Sequence, residues 1–299
     1  MAAQWTDLVD PSRDELLRAL AIPLDPEAVE ILVEPARDGR SLRPLCEGHG
    51  RYVFSALVVP RWGPEGRAEY LELDVVATPT AVVTVRKTGP RGQLAHTDGV
   101  AALVDADVPA GGVFQGLVDE AADAFLDLLD GLYEAIDELE ADVEQLRPAD
   151  VRRRIAVLRH ELLLARRASS ATRGVARRIV DGRIDVGRSE LFPPEVEKRF
   201  VDTYETLVRV TEELDVARDL LGGVRDYYQA KIAEQQNEVG KKLTVIASLV
   251  LVPSFIVGFY GQNFAGHFRD WYWGIGVSVG LIVATTIVQL ALFRWRRWI

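Results

Sequence analysis

The chain has 299 residues, with 35 basic and 45 acidic side chains and a formal net charge of −10. An apolar share of 48% supports a packed core and excludes a disordered chain, while the acidic balance argues against nucleic acid as a partner. The charges are segregated: residues 243–260 and 271–293, runs of 18 and 23, contain none, and each run is long enough to cross a bilayer.

The single cysteine, Cys46, excludes an internal disulfide and fits a reducing compartment for the soluble part. His49, His96, His160 and His267 lie far apart and match no zinc-ligand spacing. With no phosphate-binding loop and no nucleophile–base pair, neither an enzyme nor a resident cofactor is expected. The first twenty residues carry Asp7, Asp10, Arg13, Asp14 and Glu15, so no secretory leader is expected.

Residues 1–110 read as a small α/β domain. Segment 14–20 reads as a short helix. Segments 28–34, 52–60, 69–76 and 81–86 are rich in Val, Leu and Tyr and read as strands, with a turn at 61–66. Pro109-Ala-Gly-Gly112 closes that domain, and residues 111–240 form a helical stalk. Phe114, Leu117, Ala121, Phe125, Leu128, Leu132, Ile136, Leu139, Val143 and Leu146 make an apolar seam at spacings of three and four. Residues 113–146 hold eleven acids and no base, and residues 152–188 hold eleven arginines and three acids. With Pro148 between them, these helices form either a hairpin with complementary faces or two solvated faces. A third helix starts at Pro194. Its seam is Val201, Tyr204, Leu207 or Val208, Thr211, Leu214, Ala217, Leu221, Val224 and Tyr228, and no proline follows before Pro253. Continued to Tyr260, it would be about 100 Å long at roughly 1.5 Å per residue.

Residues 241–299 form a two-helix membrane domain. Lys241 and Lys242 precede the first span, and Arg294, Arg296 and Arg297 follow the second, so both termini are expected to be cytoplasmic. Trp271 and Trp273 mark the outer boundary, and Trp295 and Trp298 the inner one. Neither span contains an ionisable Asp, Glu, Lys, Arg or His, which disfavours a proton-coupled pump. On the first span Asn237, Gly240, Thr244, Ser248, Leu251, Gly258 and Gln262 fall near one stripe at about 100° per residue, with Ser254 at its edge. Such a stripe either packs against another helix or lines a pore. Two spans cannot enclose a pore, so the second reading requires a ring of identical subunits.

Tyr260-Gly-Gln-Asn-Phe264 and Asn237-Glu-Val-Gly-Lys-Lys-Leu-Thr244 bracket the first span. Together with Pro253, the Trp-rich start of the second span and the Arg-Trp-Arg-Arg-Trp-Ile tail, they resemble the CorA family of magnesium channels. Phe200-Val-Asp-Thr-Tyr-Glu205 is similar to the family's Arg-Asp-Val-Tyr-Asp segment. Arg43-Pro-Leu and Ala81-Val-Val-Thr-Val-Arg86 are similar to its N-terminal sheet domain. The resemblance implies an α+β cytosolic domain, a long α-helical stalk and two C-terminal transmembrane helices, assembled as a homopentamer in the cell membrane. It implies a channel for a divalent cation, Mg2+ first and Zn2+, Co2+ or Ni2+ next, with the membrane potential as the drive. A non-conducting membrane scaffold of the same fold is the competing expectation.

The family motif Gly-Met-Asn at the pore mouth is here Gly261-Gln262-Asn263, preceded by Tyr260; Gln262 replaces the Met. Some relatives carry Gly-Ile-Asn and are associated with zinc. By resemblance Asn263 takes up the hydrated cation. Asn237, Gly240, Leu243, Thr244, Ser248, Leu251, Ser254 and Gly258 line the pore. Gly240 replaces a gating Met, which leaves Leu243 and Leu251 as the hydrophobic constrictions. Asp202 matches an acidic ligand position for a regulatory divalent cation. The outer loop, Ala265-Gly-His-Phe-Arg-Asp270, has little net charge where the family usually has acids.

Overall fold

A computed structural model describes residues 3–20, 22–36, 44–63, 65–106, 108–187, 191–261 and 271–298. The chain forms two compact units, Met1–Arg225 and Asp226–Ile299. The expected boundary at residue 110 falls inside the first unit, where helix and sheet share one core.

That core begins with locally encoded helices. In α1 (Arg13–Ala19) the Ser12 hydroxyl accepts from the Glu15 N–H, and the Glu15 carboxylate accepts from the Ser12 N–H at 2.9 Å, a reciprocal cap that satisfies two end donors. Helix α2 (Pro26–Val33) starts after Asp25 with Pro26 in its first turn, and it buries Ala28, Val29 and Leu32. Residues 28–34, expected as a strand, are therefore mostly helical. The Asp-Pro start and the apolar spacing of one and three outweigh the β-branched composition.

Five strands follow the order β1-β5-β4-β3-β2: β1 (Gln4–Val9), β2 (Leu45–Gly48), β3 (Val53–Trp62), β4 (Ala68–Ala77) and β5 (Ala81–Arg86). Strands β2 to β5 form an antiparallel meander, and β1 adds parallel to β5 at the edge. Strand β3 is buried continuously from Val53 to Pro60, as expected for a strand covered on both faces. On one face Phe54, Val76 and Val83 pack with Leu16, Val29 and Leu32 of α1 and α2. On the other, the helix over Ala110–Asp142 crosses the sheet. Its Gly131 admits the Trp62 ring so closely that a Cβ there would lie 2.6 Å from it.

Past the end of β5, Lys87 is 1% exposed. Its ammonium donates to Glu72 at 2.7 Å and to the Ile31 carbonyl at 2.8 Å, and lies 2.9 Å from Asp74. Glu72 and Asp74, two apart on β4, share one face. This buried cluster joins α2 to the centre of the sheet.

Helix α3 (Asp98–Asp105) leads into the long pair α4 (Ala110–Asp142) and α5 (Pro148–Val180). The expected seam residues Leu117, Ala121, Phe125, Leu128, Leu132, Ile136 and Leu139 of α4 are buried, as are Val151, Leu158, Leu162 and Ala165 of α5. Pro148 opens α5 rather than merely ending α4. Exposed Arg154 pairs with Asp142 at 3.3 Å and Glu138 at 3.9 Å, contacts worth at most ~1 kcal/mol. Arg166 turns instead to Asp215 at 2.9 Å, and Arg178 donates to the Cys46 carbonyl at 2.8 Å.

Helix α6 (Pro194–Gly261) runs for 68 residues. Within the first unit its buried seam includes Val196 and Phe200, whose ring packs with Phe114 and Phe192 at ring-centroid distances of 5.9 and 5.7 Å; Val201, expected there, is exposed. Leu207, Val210, Leu214, Ala217, Leu221 and Val224 continue it. The second unit comprises the C-terminal part of α6 and α7 (Trp271–Trp295).

Candidate functional site

Helices α6 and α7 each contain a stretch long and apolar enough to cross a membrane. In the second unit they pack through one side of each. On α6 this side holds the buried Val245 and Ile256 and the half-buried Ser248, Leu249, Val252 and Pro253. On α7 it holds Gly274, Ser278, Ile282, Thr285, Gln289 and Phe293, a stripe of spacings three and four. At about 100° per residue, Gly240, Thr244, Leu251, Ser254 and Gly258 fall on the side of α6 roughly opposite Val245, Val252 and Ile256.

Of the eight expected lining residues, Asn237, Gly240, Leu243, Thr244, Leu251, Ser254 and Gly258 are exposed in the single chain. Leu243 and Leu251 are 61% and 65% exposed. Ser248 differs, lying half-buried at the border with α7. Apolar Ile246, Val250 and Val257 are also exposed, so chemistry rather than exposure marks the stripe.

The hydroxyls on the stripe share one geometry. Thr244 donates to the Gly240 carbonyl at 2.9 Å, Ser248 to Thr244 at 2.8 Å and Ser254 to Val250 at 2.7 Å. Each proton is committed to the helix's own backbone, which leaves the oxygen lone pairs as acceptors. At the outer end Tyr260 is half-buried and Gly261 exposed. Gln262 and Asn263 lie outside the described residues, as does the 264–270 loop.

Gln289 is the site residue that sequence reasoning missed. Its Nε2 donates across to the Ser248 carbonyl at 3.3 Å. The available signal was an amide in an otherwise uncharged 23-residue run; searching the spans for ionisable groups alone passes over it.

Asp202 is exposed on α6 in the first unit. Its neighbour Thr203 is fully buried, donates to Asp119 Oδ1 at 2.6 Å and accepts from Gln115 Nε2 at 3.0 Å. These bonds place Asp202 on the rim of a cavity of about 520 Å3 that is also lined by Asp119, Glu120, Asp123 and Arg199. Burial, then Asp98, holds the Glu120 carboxyl above its ordinary range. Burial, then Asp119 and Asp127, does the same for Asp123. Among the described residues no three His, Cys, Asp or Glu side chains are grouped closely enough to hold a metal ion directly. The arrangement is an acidic rim able to attract a hydrated cation.

Known proteins provide independent comparisons. The chain is 25% identical over 270 residues to the cobalt/magnesium transport protein CorA of Thermotoga maritima, covering 86% of this chain and 73% of that protein. It is 26% identical over 151 residues to the zinc transport protein ZntB of Yersinia enterocolitica, covering 50% and 44%. The CorA magnesium transporter structure from Methanocaldococcus jannaschii superposes with a TM-score of 0.75 at 18% identity, over 99% of this chain and 91% of that one. Residues 2–297 match the family described as CorA-like Mg2+ transporter protein, and with the shared fold this establishes that the chain belongs to that family of divalent-cation transporters.

Proposed function

We propose that the chain is one subunit of a homopentameric cell-membrane channel that admits Mg2+, with both termini cytoplasmic and with closure driven by cytosolic cation binding. One observation carries this reading: the small and hydroxylated side of α6 is turned away from the chain's own second span. Its hydroxyl oxygens keep free lone pairs, and a ring of five copies turns them to a water-filled axis rather than to hydrocarbon. Residues 1–110 and 111–240 are the cytosolic sheet and stalk, and 241–299 the membrane part.

Mg2+ is small, hard and slow to lose water. A ring of Asn263 carboxamide oxygens accepts hydrogen bonds from the ion's water shell without stripping it. Below the mouth, the Ser254 and Thr244 oxygens, their protons already committed, continue as acceptors. Neutral acceptors hold the ion weakly enough to release it. Leu251 and Leu243 form apolar constrictions that close by excluding water. An inward-negative potential contributes about 4.6 kcal/mol per divalent ion per 100 mV.

The Thermotoga and Yersinia relatives, named for cobalt/magnesium and zinc transport, support Co2+ and Zn2+ as further candidates, with Ni2+ beside them. Gln262 in place of the family Met favours the second reading, a scaffold that does not conduct. Reconstitution in liposomes with an internal Mg2+ indicator decides between them. Potential-dependent Mg2+ entry, with competition by Co2+, Ni2+ and Zn2+ giving the ion order, is the expected result. A signal no greater than that of empty vesicles, or a protein that is monomeric in both detergent and lipid, rejects the channel.

A further inference from the structure

The second span brings an amide to the weakest turn of α6. Pro253 has no N–H, so the Leu249 carbonyl lacks its helical donor. Gln289 donates to the adjacent carbonyl, that of Ser248, at 3.3 Å. The Thr285 and Thr286 hydroxyls stay within α7, donating back to Leu281 and Ile282. The Gln289 amide instead joins the helices, where α6 is least held by its own backbone.

Its other end is unsatisfied. Gln289 Oε1 is buried and has no hydrogen-bond partner among the described residues. A buried amide left half unsatisfied in an apolar environment lowers stability, whereas Leu or Met would fill the same space without that penalty. Stability therefore does not account for an amide at this position, and its placement beside the proline turn does.

We propose that Gln289 is a positioning residue for transport. Its bond to Ser248 fixes the bend of α6 at Pro253, and so sets the lean of the outer half, from Ser254 to Gly261, against the conduction axis. This rests on α6 being the conducting helix. Loss of the bond spreads α6 over several bends and misaligns the ring in part of the population. The misaligned fraction conducts poorly, so maximal flux falls.

The test compares Mg2+ flux of wild type, Gln289→Leu and Gln289→Glu in liposomes between about pH 5 and pH 9, a range that spans titration of a carboxyl group, with each variant normalised to wild type at the same pH. Neither α6 from Thr244 to Tyr260 nor α7 from Gly274 to Phe293 contains Asp, Glu, Lys, Arg or His, and the Tyr260 phenol is the other titratable group on these stretches. Gln289→Leu is expected to lower maximal flux roughly three- to tenfold, the range given by one interhelical hydrogen bond in a membrane, and to melt no lower than wild type. Gln289→Glu is expected to match wild type at the acid end, where the neutral acid donates an O–H to Ser248. At the alkaline end, where the carboxylate has no proton to donate, it falls to the level of Gln289→Leu.

Unchanged flux in Gln289→Leu, or a flat profile for Gln289→Glu, overturns the role. If Gln289→Leu fails to assemble, the two ends of the Gln289→Glu profile decide within one protein. Absence of flux in wild type rejects the channel reading and this role with it. Flux in wild type with unaltered variants rejects the positioning role alone.

Discussion

Thr203 Oγ1 and Asp119 Oδ1 are 2.6 Å apart, joining α6 to α4 one residue from the exposed Asp202 carboxylate. The same hydroxyl accepts from Gln115 Nε2, so a single buried oxygen serves two partners on α4. Thr203→Val removes both bonds at nearly constant volume and strands two polar groups. It should lower stability by about 1–3 kcal/mol, read as a lower melting temperature of the full chain in detergent. Thr203→Ser, which keeps the hydroxyl, should avoid most of the loss, and equal melting of Thr203→Val and wild type would contradict the assignment.

The rim beside this contact concentrates negative charge. Glu120 and Asp123 keep their protons to higher pH than they would in the unfolded chain. The native state therefore binds more protons across the ordinary carboxylate range, and stability falls as pH rises through it. In the proposed regulation, Mg2+ bound at this rim would offset the negative charge. Raising Mg2+ should raise the melting temperature more at pH 7 than near pH 4, and Asp202→Ala should shrink the difference. If internal Mg2+ closes the channel through this rim, Asp202→Ala should also need roughly three- to tenfold more Mg2+ for half-inhibition. Unchanged inhibition would remove Asp202 from regulation.

Lys87 sits between two buried carboxylates. Lys87→Met keeps the chain length and deletes the ammonium, leaving Glu72 and Asp74 buried without it. Removing one member of a buried ionic cluster is expected to cost about 3–5 kcal/mol, so this variant should express poorly or melt far below wild type. Replacing all three residues with apolar ones should recover much of the loss.

Cys46 is 1% exposed, and burial pushes its thiol up to about 12 from 9.0, with the Arg178 charge opposing the shift only in part. A raised thiol gives the native state more protons than the unfolded one between these values. Stability is unaffected below pH 9 and falls as pH rises from 9 towards 12. Cys46→Ala should flatten that alkaline decline. Native Cys46 should resist alkylation at pH 8 and react after unfolding, and rapid labelling of the folded protein would contradict its burial.

Asn263 carries the mouth in the proposed channel. Asn263→Ala should reduce Mg2+ flux to the level of empty vesicles while leaving assembly intact. Undiminished flux would move selectivity elsewhere. Gln262→Met, which restores the family residue, should favour Mg2+ over Zn2+ in the competition assay if the middle residue sets ion preference.

The features legible in the sequence are those carried by neighbours in the chain. Two uncharged runs announce α6 and α7, because a bilayer admits no other composition at that length. The seam from Leu117 to Leu139 and the proline at 148 announce α4 and α5, because helical periodicity repeats every few residues. The small, polar stripe from Gly240 to Gly258 is visible for the same reason. The tertiary structure decided what depends on distant partners. Residues 28–34 carry helix signals of their own in the Asp25-Pro26 start and the spacing of Ala28, Val29 and Leu32; what packing settled is that this face meets α1 and the sheet. Gln4–Val9 became an edge strand by pairing with β5, some eighty residues away. Lys87 is buried because Glu72 and Asp74 meet it from the adjoining strand, and Gln289 acquires a role because Ser248 lies across from it. Periodicity encodes which face of a helix is apolar; what that face, or a polar group on it, will meet is set only when segments far apart in the chain are packed together.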